Sequence, residues 1–82
     1  TTIIIMETNV LVFGQITDIT GESSIKISGV ADTNGVIHLL HKNYPHLQSL
    51  EYSIAVNKNI IRENTLLKNN DTVAILPPFS GG

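Results

Sequence analysis

The apolar run Thr72-Val73-Ala74-Ile75-Leu76 stops at two consecutive prolines, and this stop constrains the fold more than any other feature of the chain. The run is rich in β-branched and apolar residues and reads as a buried strand. Pro77 and Pro78 hold φ at about −65° and carry no N–H, so a central strand cannot pass through them. The chain must leave the sheet there in a stiff form close to polyproline II. Phe79-Ser80-Gly81-Gly82 follow without a charged side chain, and the glycines impose few conformational limits. The expected shape is a core strand feeding a stiff base and a thin tip, suited to entering a narrow slot on another protein.

The remainder reads as a small two-layer domain. Asn9–Phe13 is a β-branched and aromatic run ended by Gly14. Gln15–Ser23 reads as a connection, with Ile16 and Ile19 able to tuck back onto the core. Ser24-Ile25-Lys26-Ile27-Ser28 alternates polar and apolar, which predicts a strand with one wet face, paired as a hairpin with the first. Asp32 or Thr33 is a credible N-cap. Val36, Ile37, Leu39, Leu40 and Tyr44 then form an apolar stripe at helical spacing. Pro45 disfavours helical geometry at Tyr44, so the helix should end near Asn43, and Gly35 weakens its first turn. His46–Glu51 reads as a loop anchored by Leu47 and Leu50. Tyr52–Val56 is a third strand, Asn57-Lys58-Asn59 a turn, and Ile60-Ile61 a short returning strand. Arg62–Asn64 reads as polar surface, Leu66-Leu67 as a cap on the core, and Asn69-Asn70-Asp71 as the turn into the last strand. Thr1–Ile5 either extend the first strand or form an extension ahead of Met6. The order β-β-α-β-β-β predicts an α+β domain, with a mixed sheet of four to five strands packed on one main helix. We expect one domain over residues 1–82, with 77–82 as its tail.

Composition excludes several classes of function. The 82 residues include five basic and seven acidic side chains, for a net charge of −2, and no basic stripe suited to nucleic acid is visible. No apolar run approaches the length of a membrane span, and no secretion signal is visible, so a cytoplasmic protein is expected. There is no cysteine, so neither a disulfide nor a cysteine metal site holds the chain together. His38 and His41 are three apart on the predicted helix, with His46 nearby, but no carboxylate or thiol completes a metal set; solvent-facing histidines are the expectation. The acidic residues form no recognisable acid–base pair, and Asp71 reads as a turn former. Lys58 and Arg62 read as surface charges, with a partner-facing edge as the alternative. No nucleophile elbow, phosphate loop or His-Glu-x-x-His motif is present.

The ending Val73-Ala74-Ile75-Leu76-Pro77-Pro78-Phe79-Ser80-Gly81-Gly82 resembles that of the small subunit of molybdopterin synthase, the MoaD family, which ends in a strand, Pro-Pro, two further residues and Gly-Gly. Val10-Leu11-Val12-Phe13-Gly14-Gln15 resembles the family's first strand and its exit. Ala55-Val56-Asn57 and Asn69-Asn70-Asp71-Thr72-Val73-Ala74 resemble its third strand and the turn into its last. Many members have glycine where this chain has Asn70; asparagine also tolerates positive φ. The resemblance implies a β-grasp, ubiquitin-like fold with the last strand parallel to the first at the sheet centre. That pairing would bring the tail beside Gly14 and Gln15, clear of the helix.

The resemblance also implies a function. The chain would be a non-catalytic sulfur-carrier subunit. An ATP-dependent activating enzyme would adenylate the carboxylate of Gly82, and a sulfurtransferase would supply sulfur to make a thiocarboxylate. The large synthase subunit would receive the tail, in a heterotetramer of two small and two large subunits. There the thiocarboxylate would donate sulfur to cyclic pyranopterin monophosphate, building the molybdopterin dithiolene. ATP would be used by the activating enzyme; no cofactor would be held tightly by this chain. Gly81 would keep the approach to Gly82 uncrowded. Leu76, Pro77, Pro78, Phe79 and Ser80 would meet the partner, Phe79 as an interface anchor, with ordinary core packing as the alternative for Leu76. A thiamine-pathway sulfur carrier, a ubiquitin-like modifier forming isopeptide bonds with lysines, and a plain interaction domain are the competing readings.

Overall fold

The computed structural model describes residues 6–78. Its elements run β1 (Glu7–Val12), α1 (Ile16–Thr20), β2 (Ser24–Ser28), α2 (Thr33–Asn43), a 3-10 helix (Pro45–Ser49), β3 (Ser53–Val56), β4 (Asn59–Ile61) and β5 (Asp71–Leu76). The five strands form one mixed sheet in the order β2-β1-β5-β3-β4. β5 lies at the centre, parallel to β1 with Val10 opposite Val73, and antiparallel to β3 with Ala55 opposite Ala74. This is the β-grasp arrangement, with the central parallel pair expected from the resemblance.

Alternation fixes which face is buried. Thr8, Val10 and Val12 of β1, Ile27 of β2, Val56 of β3 and Val73 and Ile75 of β5 point to the helix side, where Val36 and Leu40 of α2 meet them. Leu47 of the 3-10 helix and Leu67 close the same core, and Tyr44 and Leu50 pack at its margin. Burying each large aliphatic side chain stabilises the fold by about 1.5–3 kcal/mol, so this single face supplies most of the driving force.

Asp32 is the N-cap of α2: its Oδ1 accepts from the Gly35 N–H at 2.9 Å. Asn43 ends the helix ahead of Pro45, as expected. The segment after β4 then clamps the helix start. Asn64 Oδ1 accepts from the Asn34 N–H at 2.8 Å, its Nδ2 donates to Asp32 Oδ2 at 3.2 Å, and the Thr65 N–H donates to Thr33 Oγ1 at 2.9 Å. Asn64 is therefore more than polar surface.

Four sequence expectations need correction. The stretch His46–Glu51 is not a plain loop: the 3-10 helix Pro45–Ser49 takes up most of it, started by the fixed φ of Pro45. The connection after Gly14 contains a helix, α1, whose Ile16 is buried and which Gly21 closes by donating to the Thr17 carbonyl at 2.8 Å. Isoleucine and threonine are weak helix formers, so burial of Ile16 rather than propensity makes this turn helical. Leu66 does not cap the core; it is 79 % exposed, and Leu67 alone enters. Phe13 follows the strand rather than belonging to it, and is 44 % exposed. The β3–β4 turn is tight: Asn57 and Lys58 both have positive φ, 48° and 74°, the signature of a type I′ hairpin.

Candidate functional site

The site grows from the end of β5. Leu76 is the last residue of that strand, opposite Ser53 of β3, and is half-buried on the face away from α2. It belongs to neither the core nor the shell packed on it, so the core alternative for Leu76 is not what the fold adopts. The ladder ends beside it, where the Phe13 N–H donates to the Ile75 carbonyl at 3.3 Å.

Pro77 then leaves the sheet against Gly14. Gly14 has φ of 61°, and a Cβ built there would lie 2.9 Å from Pro77 Cγ. A side chain at position 14 would therefore meet both backbone strain and the proline ring. The expected neighbourhood of tail and Gly14 is thus present at Pro77. Pro78 is exposed and lines an open hollow of about 430 Å³ that His41 of α2, Leu47, Leu50 and Tyr52 also line. Phe79, Ser80, Gly81 and Gly82 lie outside the described residues, as do Thr1–Ile5.

The face of the sheet that α2 leaves bare carries the residues that sequence reasoning missed. The register aligns Ile60, Ala55, Ala74 and Leu11 as one row across β4, β3, β5 and β1. Phe13 comes level with Leu76 one step nearer the tail. Ile60 is 57 % exposed and Phe13 44 %. Within this face Ala55 is buried, at 4 % exposure, and Leu11 and Ala74 are half-buried, so Phe13 and Ile60 supply its exposed apolar area. Ala74 and Leu76 already hint at it, because the second face of a half-wet strand should be polar and at these two positions it is not. The positions of Phe13 and Ile60 emerge only with the register.

The opposite end of β5 is polar and tightly held. Asp71 accepts from Asn57 Nδ2 at 3.0 Å and from the Lys68 N–H at 2.8 Å. These bonds hold its carboxyl below the usual carboxylate range, against a small opposing effect of burial, with the Lys68 charge adding to them. Asn70 has φ of 68°, so the turn takes the left-handed residue it needs without glycine.

Among the described residues no group of three His, Cys, Asp or Glu is placed to hold a metal. His38 and His46 are exposed, as expected; His41 is instead half-buried and shares a 2.6 Å hydrogen bond with the Tyr52 hydroxyl, their rings edge to face. Burial pushes the Tyr52 phenol up. No helix in the described residues is long and apolar enough to cross a membrane.

Comparison with known proteins follows the same outline. Over 80 residues, the chain is 36% identical to a molybdopterin synthase sulfur carrier subunit of Dictyostelium discoideum, covering 89% of this chain and 93% of that one. The fold superposes with a TM-score of 0.80 on small archaeal modifier protein 1 of Methanosarcina acetivorans, at 30% identity over 95% of this chain and 98% of the other. It superposes with a TM-score of 0.73 on a chain from the complex of subunits 1 and 2 of molybdopterin-converting factor of Helicobacter pylori, at 29% identity over 94% of this chain and 100% of that one. The model of the ThiS family matches residues 10–82, the bare apolar row and the tail included, and the chain belongs to that family.

Proposed function

We propose that this chain is the sulfur-carrier subunit of a molybdopterin synthase, and that its reacting group is the carboxylate of Gly82. The observation that carries the reading is the family match running unbroken through residue 82, joined to relatives named as sulfur carriers of this synthase. A C-terminal carboxylate has an ordinary pKa of about 3.3–3.7 and is ionised at neutral pH, hence a poor electrophile. Its oxygen attacks the α-phosphorus of ATP on an activating enzyme, pyrophosphate leaves, and a mixed anhydride with AMP forms. A sulfur donor then displaces AMP, leaving a thiocarboxylate that is a strong nucleophile at neutral pH. On the large subunit this sulfur passes to cyclic pyranopterin monophosphate, and two such transfers complete the dithiolene.

The chain's own part is delivery. The prolines leave fewer conformations to be lost when the tail enters a slot. Gly81 and Gly82 present no side chain to crowd the reacting carbon. Phe13, Leu76 and Ile60 form the apolar floor that seats the large subunit while the tail is inserted, with Phe79 and Ser80 continuing the contact. The complex between the two subunits of the Helicobacter pylori relative supports a partner of this kind. Acid–base and substrate-binding groups belong to that partner.

The likeness to an archaeal modifier protein favours a second reading, in which the same activated carboxylate is taken by a lysine amine. One experiment separates the two. The chain is incubated with its activating enzyme, ATP and a sulfur donor, then weighed intact. Exchange of one oxygen for sulfur at Gly82, followed by conversion of pyranopterin on the large subunit, is the expected result. Conjugates on lysines in cell extract, without pyranopterin conversion, would replace this reading with the modifier. A thiocarboxylate that serves only thiazole formation would move the chain to the thiamine pathway.

A further inference from the structure

The first turn of α2 holds Asn34-Gly35, the only Asn-Gly pair in the sequence. In an open chain this pair is the one most prone to lose its side-chain amide, because glycine offers no side chain to hinder ring closure. Gly35 is nonetheless fixed by packing: a Cβ there would overlap Val30 Cγ1 and crowd Asp32 Oδ1 at 3.1 Å. The close approach that lets the β2–α2 crossover lie against the helix thus forces the reactive pair into the fold.

The surroundings hold the reaction back. The attacking atom would be the Gly35 nitrogen, and its N–H is engaged by the Asp32 cap at 2.9 Å. The Asn34 N–H is engaged by Asn64 Oδ1 at 2.8 Å, and Asn64 in turn donates to Asp32. Helical geometry turns the Gly35 nitrogen away from the Asn34 side chain, whereas ring closure needs the two in contact. Asn34 itself is exposed, so water reaches it.

We propose that Asn34 is a latent deamidation site whose reaction is gated by opening of the Asp32–Asn64 clamp. On opening, the Gly35 nitrogen gives up its proton and attacks Asn34 Cγ. The new C–N bond closes a succinimide, and the side-chain amide leaves as ammonia after taking up a proton. Water then opens the ring at one of its two carbonyls, giving aspartate or isoaspartate at position 34. No oxidant or reductant is required. Aspartate adds a negative charge at a helix N-terminus, which that position tolerates. Isoaspartate adds a methylene to the main chain and breaks the first turn, so the altered helix start cannot re-form its cap.

The test follows peptide 30–40 of the full chain by mass and isoaspartate content during incubation at mildly alkaline pH. The comparison set is wild type, Asp32→Ala, Asn64→Ala, Asn34→Gln, and Ile27→Ala as a variant weakened in the core with its clamp intact. A synthetic peptide of the same residues gives the unrestrained rate. Wild type should convert far more slowly than the peptide, and the two clamp variants should convert about fivefold faster than wild type or more, the scale expected for losing a cap. Asn34→Gln should be silent. Conversion of wild type at the peptide's rate would overturn the gate. So would equal acceleration by Ile27→Ala and Asp32→Ala at matched stability, which would assign the reaction to global unfolding.

Discussion

The two ends of β5 differ in almost every property although the strand is only six residues long. At its start, Asp71 accepts two hydrogen bonds, the Asn57 backbone N–H donates to the Thr72 carbonyl at 2.8 Å, and the Thr72 N–H donates to Asn57 Oδ1 at 3.0 Å. At its finish the ladder stops, two residues without N–H groups follow, and the neighbouring apolar side chains face water. The first end spends its polar groups on holding the hairpin to the sheet. The second leaves Phe13 exposed beside the strand end, the surface that the proposed function assigns to a partner. On that reading one strand is anchored and functional at once, with the two tasks at opposite ends.

The sharpest way to break this contrast is to shorten the functional end. Deleting Gly82 should abolish sulfur transfer while leaving the thermal midpoint unchanged; normal transfer by the shortened protein, measured as thiocarboxylate by intact mass, would refute the assignment. Next in size is the buried face. Ile75→Ala should cost about 2–5 kcal/mol in denaturant unfolding, because it opens a cavity in the buried cluster beside Val12, its neighbour across the sheet. Its neighbour Leu76 should behave in the opposite way. Leu76→Ala or Ile60→Ala should change stability by less than about 1 kcal/mol yet weaken binding to the large subunit about tenfold or more, by titration calorimetry. Equal losses of stability at Leu76 and Ile75 would erase the distinction between the two faces.

Two smaller effects probe the anchored half. The Thr8 side chain is fully buried on the core face, and its hydroxyl meets no partner among the described residues. Thr8→Val removes that orphan and should raise stability by about 1 kcal/mol, read from the denaturant midpoint at constant m. At Asp71 the native pKa is depressed below its ordinary 3.8. The folded state therefore binds fewer protons there than the unfolded state does. The resulting stability is complete above the ordinary value and is lost as pH falls through the depressed one. Asp71→Asn should flatten this part of the acid limb and leave the stability difference between pH 6 and 8 unchanged.

Much of the fold was legible because its signals are local. The alternation in Ser24–Ser28, the helical stripe from Val36, the stop at Pro45 and the turn residues at Asn57 and Asn70 each report a dihedral preference or a periodicity that needs no distant partner. The end of β5 at Leu76 was legible for the same reason, since proline acts on its own backbone. Leu66 and Leu67 were not separable, because which of two adjacent leucines enters the core depends on how the chain crosses the start of α2. There, the Leu67 N–H donates to the Ala31 carbonyl at 2.8 Å and turns Leu66 outward. The helix α1 was missed because its stability comes from where Ile16 is buried, not from what its residues prefer.

By itself, then, the sequence determined the strand that ends in prolines, the capped amphipathic helix and the family to which they belong. Only the tertiary structure decided that Phe13, Leu76 and Ile60 share one bare face at the root of the tail, that Pro77 rests on Gly14, and that Asn64 closes the helix start. The reason is physical. Propensity and periodicity act within a few residues along the chain, whereas exposure and contact depend on the register between strands separated by tens of residues.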